Sequence, residues 1–253
     1  MSRARFSTTC FVVLCVGLIY VHRALSAEKT AQGNSCVQCH SKLPASSFYG
    51  AKSHGWVGSI HQRHGITCND CHGGNPAAPG EKQAHIGVLG SSDPHSPVYF
   101  KNIPATCGKC HGAEYFKFKQ SLHYQMLEST GQGPDCVTCH GSMVTKVLSP
   151  DALAGVCARC HNQSMHIFPD VPQKAKQVLL MLRESKALLD ADQRVYTAPR
   201  SAKTAQILDE AAIELHDAKL DWHKFDLNSI TNYLLKFYNT MEKLPPAPAP
   251  AGH

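Results

Sequence analysis

The sequence predicts a mainly α-helical protein with much irregular loop and little or no sheet. Between residues 36 and 161 the chain is rich in Gly, Pro, Ser and Asn, which favours loops and short helices. After Pro172, glycine is absent until Gly252 and apolar residues recur at helical spacing. The 253 residues include 12 Cys and 16 His, and only 17% are charged. Such an excess of both Cys and His indicates a metal-containing cofactor rather than a disulfide framework.

The first 26 residues have the pattern of a secretory signal peptide. Arg3 and Arg5 precede an apolar run over residues 10–21, and Ala-Leu-Ser at 24–26 fits a small-x-small cleavage site. The run is shorter than the roughly 20 residues that span a bilayer. We therefore expect cleavage and a mature chain in the periplasm or otherwise exported. The alternative is an uncleaved anchor over residues 6–21, which would hold the chain on the periplasmic side of the inner membrane.

The other ten cysteines form five copies of one pattern, in which two cysteines separated by two residues are followed at once by a histidine. The copies occupy residues 36–40, 68–72, 107–111, 136–140 and 157–161. This pattern is the attachment signature of c-type haem, in which both thiols bond to one haem and the adjacent His binds its iron. A zinc site or a disulfide does not account for the His at the fifth position of every copy.

The sequence thus predicts five covalently bound haem c groups. The attaching cysteines are Cys36, Cys39, Cys68, Cys71, Cys107, Cys110, Cys136, Cys139, Cys157 and Cys160. The proximal iron ligands are His40, His72, His111, His140 and His161.

The five motifs lie close together in the chain. Their first cysteines are 32, 39, 29 and 21 residues apart, and residues 36–161 contain all five, which leaves about 25 residues per haem. That length is too short to enclose each haem separately, so we expect stacked haems to form much of the core of a domain over residues 27–170. Each motif is expected to open a short helix, and the clearest helix of this region is predicted over residues 113–128.

A low-spin electron carrier also needs a second axial ligand for each iron. The tripeptides that end in His61 and His123 both read Ser-x-His, follow an aromatic stretch and precede a CxxCH-Gly motif, which indicates an internal duplication. We expect His61 and His123 to be distal ligands. His85 and His166 are the next candidates, because each follows a motif at short range.

Methionine is the alternative distal ligand and raises the reduction potential relative to a second His. Met126, Met143 and Met165 lie in the haem region. Because His is so abundant, we expect two His ligands per iron and low potentials.

The C-terminal region over residues 171–244 is predicted to be a helical hairpin or a three-helix unit. Apolar residues recur at helical spacing over residues 173–192 and 202–225, and Asp226 is a candidate N-cap for a third helix that reaches Met241. Residues 245–253 form a Pro/Ala-rich tail that we expect to be disordered. His216 and His223 lie on the second helix, and we take His223 as the fifth candidate distal ligand. The alternative is that both flank an apolar helix face.

The five motifs, the Ser-x-His elements at His61 and His123, and the Gly-Gly and Gly-Ser pairs after His72 and His140 resemble periplasmic multihaem cytochromes c. Over residues 33–168 the chain is similar to small electron shuttles related to the hydroxylamine-oxidoreductase-like and NapC/NirT-like families. In that group the Gly-Ser pair is often followed by another His, whereas this chain has Met143. The resemblance implies electron transfer between redox proteins that dock transiently, with no catalytic residue.

Two other functions stay open at this stage. One is a small nitrite- or hydroxylamine-type reductase with an open haem iron. The pentahaem nitrite reductases that this reading resembles use a CXXCK haem, which this sequence lacks. The other is a membrane-anchored quinol-oxidising subunit, which requires that the N-terminal segment be kept. Stacking of haems between copies of the chain would also permit an oligomer.

The basic charge does not indicate a nucleic-acid partner. The chain carries a formal net charge of +6, and cleavage after Ser26 removes Arg3, Arg5 and Arg23, which lowers it to +3. Ten haem propionates and five ferric centres then bring the holoprotein to roughly −2. We therefore expect redox proteins as partners, no nucleic acid, and membrane contact only through an uncleaved N-terminus.

Overall fold

The computed structural model describes residues 33–196 and 201–246, so the predicted signal segment and residues 247–253 of the predicted tail lie outside the described residues. In the described ranges the chain forms thirteen α-helices, one 3-10 helix and no strand, which confirms a mainly α fold with irregular loops. Within the same ranges, no helix combines the length and the apolar character that crossing a membrane requires.

Ten short helices of four to nine residues precede the C-terminal helices. They are α1 (Ser35–His40), α2 (Phe48–Trp56), α3 (Ile60–Arg63), α4 (Cys68–His72), α5 (Glu81–Ala84), α6 (Ile103–Gly108), α7 (Gly112–Phe118), α8 (Leu122–Thr130), α9 (Cys136–His140) and α10 (Pro150–Cys157).

The C-terminal region adds three longer helices. They are α11 (Val171–Val195), α12 (Ala202–Asp221) and α13 (Leu227–Met241), with the 3-10 helix Trp222–Lys224 between the last two. Asp226 caps α13 by accepting a hydrogen bond from the Ser229 N–H, as the sequence predicts.

The described chain divides into two compact units. The first comprises residues up to Thr106 together with His140–Lys146, and the second comprises Cys107–Cys139 together with the residues from Val147 onward. The second unit therefore contains the C-terminal helices as well as the third and fifth motifs. The domain boundaries expected from the sequence, at residues 26, 170 and 244, stay predictions.

The prediction that every motif opens a helix is correct for three motifs and wrong for two. The first motif begins one residue inside α1, where Asn34 caps the helix through the N–H groups of Cys36 and Val37. The second and fourth motifs begin α4 and α9. The third and fifth motifs instead begin at the ends of α6 and α10, because these helices start earlier in the chain. Helix α10 starts early because Ser149 caps it and Pro150 suits its first turn.

The single helix predicted over residues 113–128 is interrupted. Helix α7 ends at Phe118 and α8 begins at Leu122. Ser121 causes the break: its hydroxyl accepts a hydrogen bond from the Tyr124 N–H as an N-cap and donates one to the Phe118 carbonyl. The side-chain hydroxyl thus replaces the helical backbone bonds at this point.

The C-terminal helices pack around an apolar core. Its fully buried members lie on α12 and α13 and include Leu208, Leu215, Ile230, Leu234 and Phe237. Burial of each such side chain contributes about 1.5–3 kcal/mol to folding. The second C-terminal helix, predicted over residues 202–225, is shorter than expected and ends at Asp221. The 3-10 helix follows it, and Phe225 then adopts left-handed backbone at φ 60°.

Candidate functional site

In the first unit, the first two motifs lie side by side. The Asn34 amide, at the start of the first motif, donates to the Asn69 side-chain oxygen in the second motif over 3.0 Å. Ser35 donates through its N–H to the Pro76 carbonyl over 2.8 Å. Burial, with His40 nearby, lowers the pKa of His72. A His with a lowered pKa is neutral at neutral pH, which is the form that binds a metal.

The first motif places its His beside a second His. The ring centroids of His40 and His85 are 6.1 Å apart. Two imidazoles that bind opposite sides of one metal ion at about 2 Å each have centroids roughly 6 Å apart. His85 donates through Nδ1 to the Glu81 carbonyl over 2.8 Å, which leaves Nε2 as its metal-binding atom. The structure thus brings together a predicted proximal and a predicted distal ligand.

The second unit contains a similar pair. The ring centroids of His123, on α8, and His161, in the fifth motif, are 5.9 Å apart. His161 donates through Nδ1 to the Ile167 carbonyl over 3.2 Å, which leaves its Nε2 for a metal. Burial, followed by the proximity of His161, lowers the pKa of His123, so this ring is also neutral at neutral pH.

His123 differs from its partner in one respect. Its Nδ1 atom is buried and makes no hydrogen bond. The phenyl ring of Phe225 lies 4.4 Å from the His123 ring, at an interplanar angle of 83°. An apolar ring therefore borders this imidazole.

The loops after the fourth and fifth motifs share one conformation that no sequence pattern predicts. His140 donates through Nδ1 to the Lys146 carbonyl over 2.9 Å, six residues later, as His161 does to Ile167. In both loops the residue just before that carbonyl has left-handed backbone: Thr145 at φ 38° and His166 at φ 52°. Each loop returns to its own motif His and fixes which nitrogen faces away from the backbone.

His61 lies close to the first of these loops. Its Nδ1 atom is 3.3 Å from the Thr145 hydroxyl, and its side chain is half-buried. The structure thus places His61 near the segment that bonds to His140, within the first unit.

The other candidate ligands are less closely grouped. His166 is exposed within the loop after the fifth motif, His111 is exposed at the end of the third motif, and His223 is half-buried in the 3-10 helix. Their predicted roles as iron ligands stay predictions. Among residues 33–196 and 201–246, no three His, Cys, Asp or Glu side chains cluster as a metal site.

None of the ten motif cysteines forms a disulfide bond, and several lie near a cysteine of another motif. Burial raises the pKa of Cys68 to about 11, with Cys36 nearby, and raises the pKa of Cys139 to about 11, with Cys157 nearby. A hydrogen bond from Cys136 lowers the pKa of Cys107. Within each unit, neighbouring motifs therefore meet at their attaching residues.

These observations fit haem c. No motif cysteine is used in a disulfide bond, two motif His rings lie near a second His at the separation that one iron requires, and three Nδ1–carbonyl bonds leave Nε2 available.

Comparison with known families agrees with this geometry. The family described as cytochrome c7 and related cytochrome c matches residues 92–162, which contain the last three motifs. The chain is similar to multihaem c-type cytochromes. The match supports covalently bound c-type haem and electron transfer, but it does not single out the hydroxylamine-oxidoreductase-like or NapC/NirT-like families. No curated protein matches. No solved structure matches either.

Proposed function

We propose that this protein is an exported electron-transfer cytochrome that carries five c-type haems and relays electrons between redox partners. The observation that carries the proposal is the pairing of a motif His with a second His at about 6 Å, once in each unit. Such pairs would hold an iron from two sides and leave it no open site for a substrate, which suits a carrier rather than an enzyme.

The pairs suggest specific assignments. His40 and His85 would together hold one iron, and His161 and His123 would hold another. His61, beside the loop that bonds to His140, is the candidate for a further iron, while His166 and His223 remain predicted distal ligands with no iron assigned to them. Two His ligands give lower potentials than a His and a Met, so we expect low potentials throughout.

The bound haem supplies an iron that takes up and releases one electron. The chain's own residues hold the imidazoles in place. The backbone carbonyls of Glu81, Lys146 and Ile167 accept from Nδ1 of His85, His140 and His161, which fixes the tautomer and the ring orientation. The contacts between cysteines of different motifs support closely spaced haems within each unit, which favours electron transfer between them.

We place the protein in the periplasm, after cleavage near residue 26, with other redox proteins as transient partners. The basis is the N-terminal sequence pattern. A holoprotein charge of roughly −2 is too small to select a strongly charged partner.

The decisive experiment is mass spectrometry of the exported protein, combined with optical and electron paramagnetic resonance (EPR) spectra. We expect the loss of 26 residues, five covalently attached haems and low-spin iron only. Four haems or fewer would contradict the haem count. A high-spin signal would favour the reductase alternative, and an intact N-terminus in the membrane fraction would favour the quinol-oxidising alternative.

A further inference from the structure

Phe225 occupies the corner between the 3-10 helix and α13, in a backbone conformation that does not suit it. Its φ is 60°, and its N–H donates to the Trp222 carbonyl over 3.1 Å. Left-handed backbone favours Gly or Asn and is uncommon for a bulky residue. The backbone conformation of the corner therefore does not explain why residue 225 is phenylalanine. The contacts of its ring do.

The Phe225 ring packs edge-to-face against His123, with centroids 4.4 Å apart. It also lies 6.2 Å from the Phe118 ring, which is itself 5.5 Å from Tyr124. Edge-to-face contacts at these separations are favourable. His123 is thus bordered by an aromatic cluster that joins α7 and α8 to the C-terminal corner within the second unit.

The corner is anchored to α7 by a buried carboxylate. Asp221 pairs with Lys117 on α7 at 2.5 Å and accepts a hydrogen bond from the Ser229 hydroxyl at 2.5 Å. Only 5% of the Asp221 side chain is exposed. Because Asp221 lies four residues before Phe225, this network fixes the corner, and hence the Phe225 ring, relative to α7, the helix that directly precedes the one carrying His123.

His123 lacks a restraint that three other His residues have. His85, His140 and His161 each donate through Nδ1 to a backbone carbonyl, whereas the buried Nδ1 of His123 makes no hydrogen bond. Rotation of the His123 ring is therefore not limited by a carbonyl. The contact with Phe225 takes the place of that bond.

We propose that Phe225 is a positioning residue for His123, which it holds in orientation as the axial ligand of the haem attached through Cys157 and Cys160. The C-terminal helices then act on the electron-transfer site through a packed aromatic ring. This inference rests on the proposed function, because it requires His123 to bind the iron that His161 binds.

The test compares Phe225→Gly and Phe225→Leu with the wild type, all as full-length, haem-loaded protein. Glycine relieves the left-handed backbone and removes the ring, whereas leucine keeps apolar volume without an aromatic edge. Phe237→Leu is the matched control, because Phe237 is fully buried in the core of the C-terminal helices. Mass spectrometry first confirms equal haem content, and EPR spectra and the rate of exogenous imidazole binding are then measured.

We expect both Phe225 variants to change the EPR signal of one haem and to speed imidazole binding at that haem about two- to tenfold, the range for loss of one aromatic contact. Phe237→Leu should lower stability and leave both readouts unchanged. The proposal is overturned if the Phe225 variants match the wild type, or if Phe237→Leu has the same effect. Failure of the proposed function is distinguishable, because wild-type protein would then lack the low-spin signals.

Discussion

The motif region and the C-terminal helices bury their apolar side chains in different ways. In the C-terminal helices, Leu208, Ile230, Leu234 and Phe237 are fully buried against one another. In the motif region the helices are short, and large apolar side chains such as Phe48 stay exposed. The C-terminal helices are stabilised by packing of protein on protein, whereas the motif region leaves large apolar side chains exposed. Such exposure is what we expect if the motif region packs against the proposed haems.

The largest expected effect is on the core of the C-terminal helices. Leu234→Ala removes a fully buried side chain and should lower the free energy of unfolding by about 2–5 kcal/mol. Leu235→Ala, at the next position of α13 but exposed, should change it by no more than about 0.5 kcal/mol. Urea titration followed by far-ultraviolet circular dichroism measures both. Equal losses for the two variants would show that α13 does not pack as described.

A smaller effect is expected at Asp221, which anchors the corner between the 3-10 helix and α13 to α7. Burial by itself raises the pKa of Asp221, but hydrogen bonds from Lys117 and Ser229 outweigh it and hold the pKa below its ordinary value. This carboxylate therefore contributes stability above its unfolded pKa of about 3.9, and that contribution is lost as the pH falls through the lower folded pKa. Asp221→Asn should lower the free energy of unfolding by about 1–2 kcal/mol at pH 7. The loss should not be larger, because Lys117 keeps some contact with solvent.

The measurement for Asp221 is the free energy of unfolding as a function of pH. The difference in free energy of unfolding between the wild type and Asp221→Asn should shrink below about pH 4. Asp170→Asn is the control, since Asp170 pairs with Lys174 in an exposed position and screening by solvent should make its effect smaller. If the difference in free energy of unfolding between wild type and Asp221→Asn stayed constant across the acid range, the lowered pKa of Asp221 would be refuted.

The smallest effect on folding, but a specific effect on the haems, is expected at His85. His85→Met should raise the reduction potential of one haem, because Met/His ligation has a higher potential than two His. Its cost in stability should be small, as His85 is exposed. His95→Met is the matched control, because 88% of the His95 side chain is exposed in a turn. Potentiometric titration measures the reduction potentials of the haems. Identical titration curves for the two variants would show that His85 is not an iron ligand.

Several features of the fold were predictable from sequence because local chemistry decides them. The motif spacing predicts the attaching thiols and the adjacent His ligands without any knowledge of the fold. The apolar periodicity after Pro172 predicts the C-terminal helices, and Asp226 predicts the start of the third. Each of these signals depends only on residues within a few positions of one another.

Other features were not predictable because they depend on competing or distant contacts. The break at Ser121 arises because a hydroxyl takes over helical backbone bonds, although the periodicity around it continues. The residue at which α12 ends, Asp221, pairs with Lys117, which lies 104 residues earlier in the chain. The choice of distal ligands among the eleven His residues outside the motifs also depends on distant contacts, since in the fold His85 and His123 each lie near a motif His.

The sequence by itself determined the haem-attachment motifs, the helical character and the existence of a C-terminal helical region, because thioether chemistry and helix periodicity act over short stretches of chain. Only the tertiary structure decided which His meets which, and that Phe225 rather than a further ligand borders His123. These relationships depend on contacts between residues that lie 38 to 102 positions apart, such as His123 with His161 and with Phe225. No local pattern specifies such contacts, because packing and ion pairing across the fold select them.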